Sequence, residues 1–317
     1  TDWAPILDEV TACFVEIARE IMKREKLLIV CQSEEDVRNQ LGEVDEERVR
    51  FVEMPTNDTW ARDHGGISVF DTFGPTVYDF VFNGWGMKFP AGKDNQITRN
   101  LFHEGIFADR IQPANMAPFV LEGGSIESDG QGTLMTTAEC LLSLNRNEYM
   151  QREEIENHLK DIFGLSRILW IENGFLVGDD TDSHVDTLAR FCKEDTIAYV
   201  QCTDESDVHY DELQAMEEEI KAFRQLNGEP YKLIALPMAD EVIWEGERLP
   251  ATYANFLILN GAVLLPFYNS PKDEIARKAL QEAFPDREIV GINCLSLIKQ
   301  HGSLHCVTMQ YPEGFIE

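Results

Sequence analysis

The chain has 317 residues, 44% of them hydrophobic, which is enough to bury a large core in one domain or in two. Its net charge is −30 at pH 7, from 57 acidic and 27 basic residues, so it repels nucleic acids and anionic membranes and attracts cations. No apolar run approaches the roughly 18 residues of a membrane span. We therefore expect neither nucleic acid nor membrane as a partner. The charge itself fits either simple solubility or a cationic small-molecule substrate.

The seven cysteines are scattered and form no C-x-x-C pair. An odd, dispersed set is typical of a reduced, cytosolic chain rather than of a disulfide framework. Residues 1–5 also lack the basic and apolar regions of a secretory leader. We therefore expect a cytoplasmic protein.

Helical spacing of apolar residues predicts an amphipathic helix over residues 7–26, followed by a buried strand over 27–31. Four further helices are predicted at 94–104, 150–163, 210–226 and 271–284. Pro271 suits the first turn of the last helix. Each of these four helices leads into a short apolar strand, at 111–112, 168–171, 232–236 and 288–292.

Hairpin-like passages lie between the predicted helices. Asp-Gly or Asn-Gly turns between strand-like runs indicate hairpins at 124–135 and 255–266, and residues 190–201 repeat the pattern more weakly. Five helices separated by hairpins indicate an α/β fold built from a repeated strand-strand-helix-strand unit. Because no Pro/Gly/Ser-rich linker interrupts the chain, we predict a single domain over residues 1–317.

Four polar segments place charged or rare side chains beside turn glycines, at 57–66, 121–125, 178–186 and 301–310. By composition alone, the first and third suit solvated loops about equally well. In the second, Glu122 ends an apolar strand, which is costly for a carboxylate unless it is paired. The third is expected to be extended, so that a spacing of two puts His184 and Asp186 on one face.

The fourth polar segment is predicted to be a strand-like run. Its Cys306 stands between a Gly-Ser turn signal and an apolar stretch, and packing as a small hydrophobe would by itself explain a buried cysteine there. In a strand, neighbouring side chains point to opposite faces. We therefore assign no catalytic role to the adjacent His305.

Several common chemistries find no support in the motif spacing. Neither C-x-x-C nor H-E-x-x-H is present, and the pair His301 and His305 has Gly302 between its members. Gly130 and Gly132 lack the third glycine of a dinucleotide fingerprint, and no G-K-[ST] follows a glycine-rich loop. We expect no cofactor and no metal.

One chemistry uses all four polar segments. A guanidinium is a planar cation best held by carboxylates, and attack on its resonance-stabilised carbon needs a strong nucleophile such as a thiolate. The departing ammonia must be protonated, which suits a histidine near neutral pH. The same histidine can later activate the water that hydrolyses a covalent thiouronium.

Six short runs resemble, in chain order, motifs of the agmatine deiminase / bacterial peptidylarginine deiminase family. They are Trp60-Ala61-Arg62-Asp63, Asn83-Gly84-Trp85-Gly86, Glu122-Gly123-Gly124-Ser125, Thr181-Asp182-Ser183, His184-Val185-Asp186 and His305-Cys306. The resemblance covers about residues 56–310. It implies the pentein fold, a five-bladed α/β propeller, which agrees with the five helix-bearing units.

The resemblance also implies a metal-free hydrolysis of a guanidino group to a ureido group and ammonia. It makes Cys306 the nucleophile and His184 the general acid and base. Glu122 would be a partner for the guanidinium and for its proton transfers.

For substrate binding, the resemblance implies that Asp63 and Asp186 clamp the guanidinium nitrogens, with Trp60 and Trp85 packing nearby. The chain departs from the family where residues 301–304 replace a run of glycines and an asparagine. That departure concerns the substrate contacts around the nucleophile.

Agmatine is our leading substrate, because a doubly positive molecule suits an acidic protein. Peptidylarginine and free arginine deimination remain alternatives, and amidinotransfer is less favoured. An alternative of another class is a non-catalytic binder of guanidino compounds or polyamines, although binding needs no thiol. A papain-like peptidase would place its cysteine early, at a helix start. A homo-oligomer stays open.

Overall fold

The computed structural model describes residues 3–72 and 74–316, and within them the protein is a mixed α/β structure. Thr1 and Asp2, two of the five N-terminal residues discussed above, lie outside the described residues. None of the helices in the described part combines the length and the apolarity that a membrane crossing requires.

The strands are β1 Leu27–Cys31, β2 Val49–Glu53, β3 Ile67–Asp71, β4 Gly74–Val81, β5 Gln112–Val120, β6 Ile126–Ser128, β7 Thr133–Thr137, β8 Arg167–Ile171, β9 Ala189–Lys193, β10 Thr196–Gln201, β11 Lys232–Pro237, β12 Ile243–Trp244, β13 Glu247–Arg248, β14 Leu257–Leu259, β15 Ala262–Phe267 and β16 Glu288–Asn293. The α-helices are α1 Leu7–Met22, α2 Glu34–Leu41, α3 Ala61–His64, α4 Gly84–Met87, α5 Ile97–His103, α6 Ala138–Leu141, α7 Leu144–Asn147, α8 Arg152–Phe163, α9 Tyr210–Ala222, α10 Lys272–Ala283 and α11 Leu295–Ile298. Short 3₁₀ helices span Ala4–Ile6, Asp94–Gln96, Gly123–Ser125 and Val185–Thr187.

Four of the sheets repeat one pattern, in which the first strand is antiparallel to the second and the second is parallel to the third. They are β3-β4-β5, β6-β7-β8, β9-β10-β11 and β14-β15-β16. A parallel pair needs a crossover, and α5, α8, α9 and α10 supply it in turn. β1 and β2 form a further parallel pair with α2 between them. The predicted strand-strand-helix-strand unit is therefore present four times in the part of the chain that the structure describes.

The strongly periodic elements agree with the sequence predictions. The five predicted helices correspond to α1, α5, α8, α9 and α10, and α1 ends at Met22 rather than near residue 26. Pro271 is the residue that caps α10 instead of lying in its first turn. The predicted strand at 27–31 is exactly β1, but four of its five residues are only half-buried, so its description as a buried strand was wrong. Within the described residues its sheet has only two strands.

Residues 301–310 do not form the predicted strand. Residues 304–307 are a turn, and the segment that follows is irregular. The backbone N–H groups of His305 and Cys306 donate to the Asn255 side-chain oxygen, at 2.8 and 3.3 Å, instead of to a neighbouring strand. The Cys306 carbonyl in turn accepts from the Arg62 N–H at 3.0 Å. Because a side chain and a turn satisfy this backbone, a ladder is not required, and the alternation argument for His305 does not apply.

The turn that carries Cys306 is held against an aromatic side chain. Gly302 lies so close to Trp60 that a Cβ atom at this position would overlap the indole ring. Trp60 is buried and also packs on Trp3, with ring centroids 5.7 Å apart. The missing Cβ at residue 302 is therefore what allows the turn to approach the core.

We expect Gly302→Ala to lower the free energy of unfolding by about 1–3 kcal/mol, because the added methyl group forces the indole or the turn to move. Urea unfolding measures the effect. Gly92→Ala is the matched control, because Gly92 is exposed and a Cβ there meets no atom within 4 Å. Equal stability of the two variants would contradict the steric explanation.

Candidate active site

Asp63 lies in α3 and is 4% exposed. Its Oδ1 accepts from the Gly124 N–H at 3.0 Å, and its Oδ2 accepts from Trp85 Nε1 at 2.9 Å. Trp85 has φ +55, and its neighbours Gly84 and Gly86 are also left-handed. Such a conformation is strained for tryptophan, and strain of this kind is often found at functional sites. Here the strained residue is the one whose indole donates to Asp63.

Three functional side chains converge on the backbone of Gly124. A Cβ atom at that position would lie 2.6 Å from His184 Nδ1, 2.8 Å from Asp63 Oδ1 and 3.2 Å from Asp186 Oδ2. His184 Nδ1 and Asp63 Oδ1 are themselves 3.6 Å apart. Glycine is needed here because only a residue without a side chain lets all three groups approach.

His184 and Asp186 reach the site from a tight turn rather than from an extended segment. His184 precedes the 3₁₀ helix Val185–Thr187, in which Asp186 is the middle residue, so the predicted extended conformation was wrong. Both side chains nevertheless face Gly124. The turn is held by the Thr187 hydroxyl, which donates to the His184 carbonyl at 2.8 Å.

Glu122 is fully buried and pairs with Arg146, a residue that the sequence analysis missed. The Arg146 Nε lies 3.1 and 2.9 Å from the two carboxylate oxygens. Its Nη1 contacts Asp182 Oδ2 at 2.5 Å, and Lys88 binds the other Asp182 oxygen at 2.7 Å. The cost of burying a carboxylate predicts that Glu122 has a cationic partner. The sequence does not indicate that this partner is Arg146, because no motif surrounds residue 146.

Cys306 is 6% exposed and faces a second residue that the sequence did not reveal. Its Sγ lies 3.3 Å from Asn255 Oδ1, the same atom that receives the two backbone N–H groups of the turn. The Asn255 amide nitrogen donates to the Asp186 carbonyl at 3.3 Å. Asn255 therefore connects the sulfur-bearing turn to the segment that carries His184 and Asp186.

His305 is turned towards the site and holds Asp186. Its Nδ1 is 2.7 Å from Asp186 Oδ2, and its Nε2 is 3.1 Å from Arg190 Nη2. Because Arg190 can only donate hydrogen bonds, His305 Nε2 is the acceptor. The ring proton is therefore on Nδ1, which donates a hydrogen bond to Asp186 Oδ2. Arg190 also pairs with Glu127. The prediction that His305 points away from the site was therefore wrong.

The two carboxyl groups beside Gly124 are hard to ionise. Burial raises the pKa of Asp186 to about 7, although Arg190 and Arg62 act in the opposite direction. Burial also raises the pKa of Asp63 well above its usual value, and the nearby Asp186 raises it further. Among the described residues, neither carboxylate pairs directly with a lysine or an arginine. The site thus has a deficit of directly paired positive charge, which the buried Arg62 reduces only through its more distant charge.

The same field acts on the sulfur and the imidazole. Burial and the charges of Asp186 and Asp63 raise the pKa of Cys306 well above the usual thiol value. Burial and the cations Arg146 and Lys88 lower the pKa of His184 well below its usual value. In the absence of a ligand, these residues are therefore a thiol and a neutral imidazole.

Among the described residues, the buried side-chain atoms without a hydrogen-bond partner include two acceptors on predicted site residues, Asp186 Oδ1 and His184 Nε2. Buried polar atoms are normally hydrogen-bonded, so these two atoms are expected to receive donors from a ligand. A planar cation with N–H donors would meet both this need and the deficit of charge. One group near the site also has metal-ligand character: single ligand atoms of Glu122, Cys140 and His184 lie within 4.8 Å of one another.

Of the other predicted site residues, Trp85 binds Asp63 directly, whereas Trp60 packs on Gly302 behind the Cys306 turn. Side chains of the first and third predicted segments thus meet at Gly124 of the second, and Asn255 connects the Cys306 turn to the third.

Known proteins with similar sequences and structures share this arrangement of chain. A solved structure from Porphyromonas gingivalis, provisionally named an arginine deiminase, is 54% identical with a TM-score of 0.96, over 100% of this chain and 94% of that one. A cysteine-to-serine variant of C. jejuni agmatine deiminase, with substrate bound, is 40% identical with a TM-score of 0.89, over 96% of this chain and 88% of that one.

The agmatine deiminase of Pseudomonas aeruginosa is 33% identical over 325 aligned positions, covering 95% of this chain and 87% of that protein. The family model for Porphyromonas-type peptidyl-arginine deiminase matches residues 1–312. The match spans almost the whole chain and includes every segment that meets at Gly124. The chain therefore belongs to the Porphyromonas-type peptidyl-arginine deiminase family.

Proposed function

We propose that the protein is an agmatine deiminase, which hydrolyses agmatine to N-carbamoylputrescine and ammonia. The observation that carries the proposal is the pair of buried carboxyl groups, Asp63 and Asp186, that lack a cation beside a buried thiol, Cys306. The names of the similar P. aeruginosa and C. jejuni proteins support the same activity.

The first step is binding of the guanidinium between Asp63 and Asp186. Asp186 Oδ1 is free to accept an N–H, and Asp63 remains oriented by Trp85 and by the Gly124 N–H. Charge-assisted hydrogen bonds of this kind are stronger than neutral ones. The bound cation also compensates both carboxylates, so it favours their ionised forms and removes the negative field that keeps Cys306 protonated.

Bond formation follows from that change in charge. The Cys306 proton passes to His184, and the thiolate forms a C–S bond to the guanidinium carbon. His184 then returns the proton to one nitrogen as the C–N bond breaks, and ammonia leaves. The remaining product is a covalent thiouronium on Cys306.

Hydrolysis completes the cycle. His184, again neutral, takes a proton from water, and the hydroxide adds to the thiouronium carbon. The C–S bond breaks and leaves the ureido group. One water proton restores the Cys306 thiol, and the other converts ammonia to ammonium. The sum is one guanidinium and one water giving one ureido group and one ammonium.

Arg146 has a supporting role in this scheme. It keeps the buried Glu122 paired, which opposes the rise in the pKa of Glu122 that burial causes. An ionised Glu122 can accept an N–H from the guanidinium and stabilise the positive charge on His184 during proton transfer. Arg146 also pairs with Asp182. Its guanidinium is therefore held in place and does not occupy the position proposed for the guanidinium of the substrate.

We also propose that the chain is a single catalytic domain with the pentein fold, a closed five-bladed α/β propeller. A division of the chain into five units is supported by four equivalent three-stranded sheets and by the parallel pair β1-β2. The hydrogen bond from the Arg62 N–H to the Cys306 carbonyl joins the first polar segment to the last. Such a ring would bring the four polar segments to a common axis.

The burial of the site favours agmatine over the alternatives. Glu122, His184 and Cys306 are 0, 1 and 6% exposed, so a slender chain can reach them more easily than a folded peptide. Free arginine carries a carboxylate, which the net charge of −30 disfavours. The partner that we propose is therefore a small cationic guanidino compound, without nucleic acid or membrane, in the cytoplasm.

A substrate panel tests this choice. We expect ammonia release from agmatine with a kcat/KM at least about tenfold higher than from free arginine or from a blocked arginine peptide, a difference of about 1.4 kcal/mol in transition-state binding. Turnover of the peptide alone would assign the chain to peptidylarginine instead. No turnover of any of the three would leave a non-catalytic binder.

Removal of the thiol tests the nucleophile. We expect Cys306→Ala to lower kcat at least about 10³-fold, because no other group can form the covalent intermediate, while agmatine still binds in calorimetry. Cys31→Ala is the control, since Cys31 is an equally small buried thiol at the end of β1. Retained turnover in the Cys306 variant would mean that another residue attacks.

The pKa of Asp186 predicts a pH-dependent stability. With a folded-state pKa of about 7 against 3.8 for an ordinary aspartate, the folded protein binds more protons than the unfolded chain between these values. This group's contribution to stability therefore falls as pH rises from about 4 to 7. We expect Asp186→Asn, which cannot ionise, to gain about 1–4 kcal/mol relative to the parent between pH 4 and pH 8.

Urea unfolding at several pH values measures the difference between the parent and Asp186→Asn. Glu153→Gln in α8 serves as the control, because Glu153 is exposed. A difference that does not change with pH would refute the raised pKa of Asp186.

A further inference from the structure

Cys140 is a buried thiol next to the site that the proposed reaction does not use. It lies in α6, just after β7, and is 0% exposed and not disulfide-bonded. Its backbone N–H is capped by Thr137 Oγ1 at 3.4 Å. Packing accounts for a small buried side chain here, but it does not account for the neighbours of the sulfur.

Those neighbours are two of the proposed catalytic residues. Single ligand atoms of Glu122, Cys140 and His184 all lie within 4.8 Å of one another. All three residues are buried, and His184 Nε2 has no hydrogen-bond partner among the described residues. Carboxylate oxygen, cysteine sulfur and imidazole nitrogen are the three kinds of side-chain atom that bind zinc in proteins, and here one of each is present.

The dimensions are suitable for a metal of this size. Zinc–sulfur and zinc–nitrogen bonds of about 2.3 and 2.0 Å place tetrahedral ligands roughly 3.5 Å apart. Since the ligand atoms lie within 4.8 Å of one another, they would have to approach by up to about 1.3 Å to bind the metal. A water molecule would complete the tetrahedron, as it does in zinc sites with three protein ligands.

The charges around the cluster also favour a dication. Asp63, which has no lysine or arginine partner among the described residues, lies 3.6 Å from His184. Zinc binding replaces the Cys140 thiol proton, which leaves to solvent, with an S–Zn bond, so no oxidant or reductant is needed. Arg146 opposes the cation, but it is already paired with Glu122 and Asp182.

We propose that Glu122, Cys140 and His184 form an inhibitory binding site for Zn²⁺. The metal would occupy the free nitrogen of His184 and one oxygen of Glu122, so neither residue could take part in proton transfer. It would also compete with the guanidinium for the same negative field. The inhibition rests on the proposed function, whereas the metal binding does not.

Direct metal binding is the primary test. The full-length protein is reduced, treated with a chelator and titrated with Co²⁺, whose bond to a thiolate produces a charge-transfer absorption. A Cys306→Ser background removes the thiol of the proposed nucleophile. We expect the absorption to persist in Cys306→Ser with one equivalent of Co²⁺ and to disappear when Cys140→Ser is added.

Inhibition is the second test. We expect Zn²⁺ to inhibit agmatine turnover reversibly, with EDTA restoring activity, and agmatine to protect. Cys140→Ser should retain turnover and require at least about tenfold more Zn²⁺ for the same inhibition. Cys192→Ser, another buried thiol in β9, is the matched control and should be as sensitive to Zn²⁺ as the parent.

Two results would overturn the proposal. One is a thiolate absorption that is lost in Cys306→Ser alone, which would place the metal on the nucleophile. Another is equal Zn²⁺ sensitivity of Cys140→Ser and the parent. If the Cys140 variants fail to fold, the absence of the absorption in Cys306→Ser decides against the site. A protein that binds Co²⁺ through Cys140 but turns over no guanidino compound would refute the proposed function and not the metal site.

Discussion

The site depends on negative charge that the protein does not neutralise. Asp63 and Asp186 are buried within contact of the same glycine, and neither pairs directly with a basic side chain among the described residues. Burial without compensation raises the pKa of both groups, which destabilises their ionised forms. A bound cation would remove that cost. Part of the free energy of cation binding would therefore come from stabilising carboxylates that are unpaired in the free protein.

Of the surrounding basic residues, Arg62 acts on the two carboxylates only through its charge, without a direct ion pair, and Arg146 and Arg190 are paired elsewhere. Arg146 is committed to Glu122 and Asp182, and Arg190 is committed to Glu127, to backbone carbonyls of residues 254 and 256, and to His305. Because the guanidinium groups of Arg146 and Arg190 already have their acceptors, neither is free to move to the unpaired oxygen of Asp186. These pairs also orient groups that reach the site, since His305 binds Asp186 and Arg146 holds Glu122.

The same charge distribution explains how a thiol with a raised pKa can serve as a nucleophile in the proposed reaction. The carboxylates that favour the thiol in the free protein are the groups that the guanidinium neutralises. The thiolate would therefore form only when its target is bound. A metal at Glu122, Cys140 and His184 would exploit the same field, which is why we expect it to compete with substrate.

The sequence by itself determined the long periodic elements, such as α1 and α8 to α10, because apolar spacing reflects burial directly. It also suggested Asp63, Glu122, His184, Asp186 and Cys306 as candidate site residues, because they lie in polar segments that contain turn glycines and that resemble family motifs. Periodicity did not predict the conformation of residues 301–310, because the Asn255 side chain accepts hydrogen bonds from their backbone in place of a neighbouring strand. For the same reason it did not predict that His305 faces Asp186. Arg146, Asn255 and Cys140 lie in segments without any distinctive motif, and local spacing could not reveal a cluster whose members are distant in the chain. Only the tertiary structure decided those contacts, because they depend on which turns meet at Gly124 rather than on the residues that flank each one.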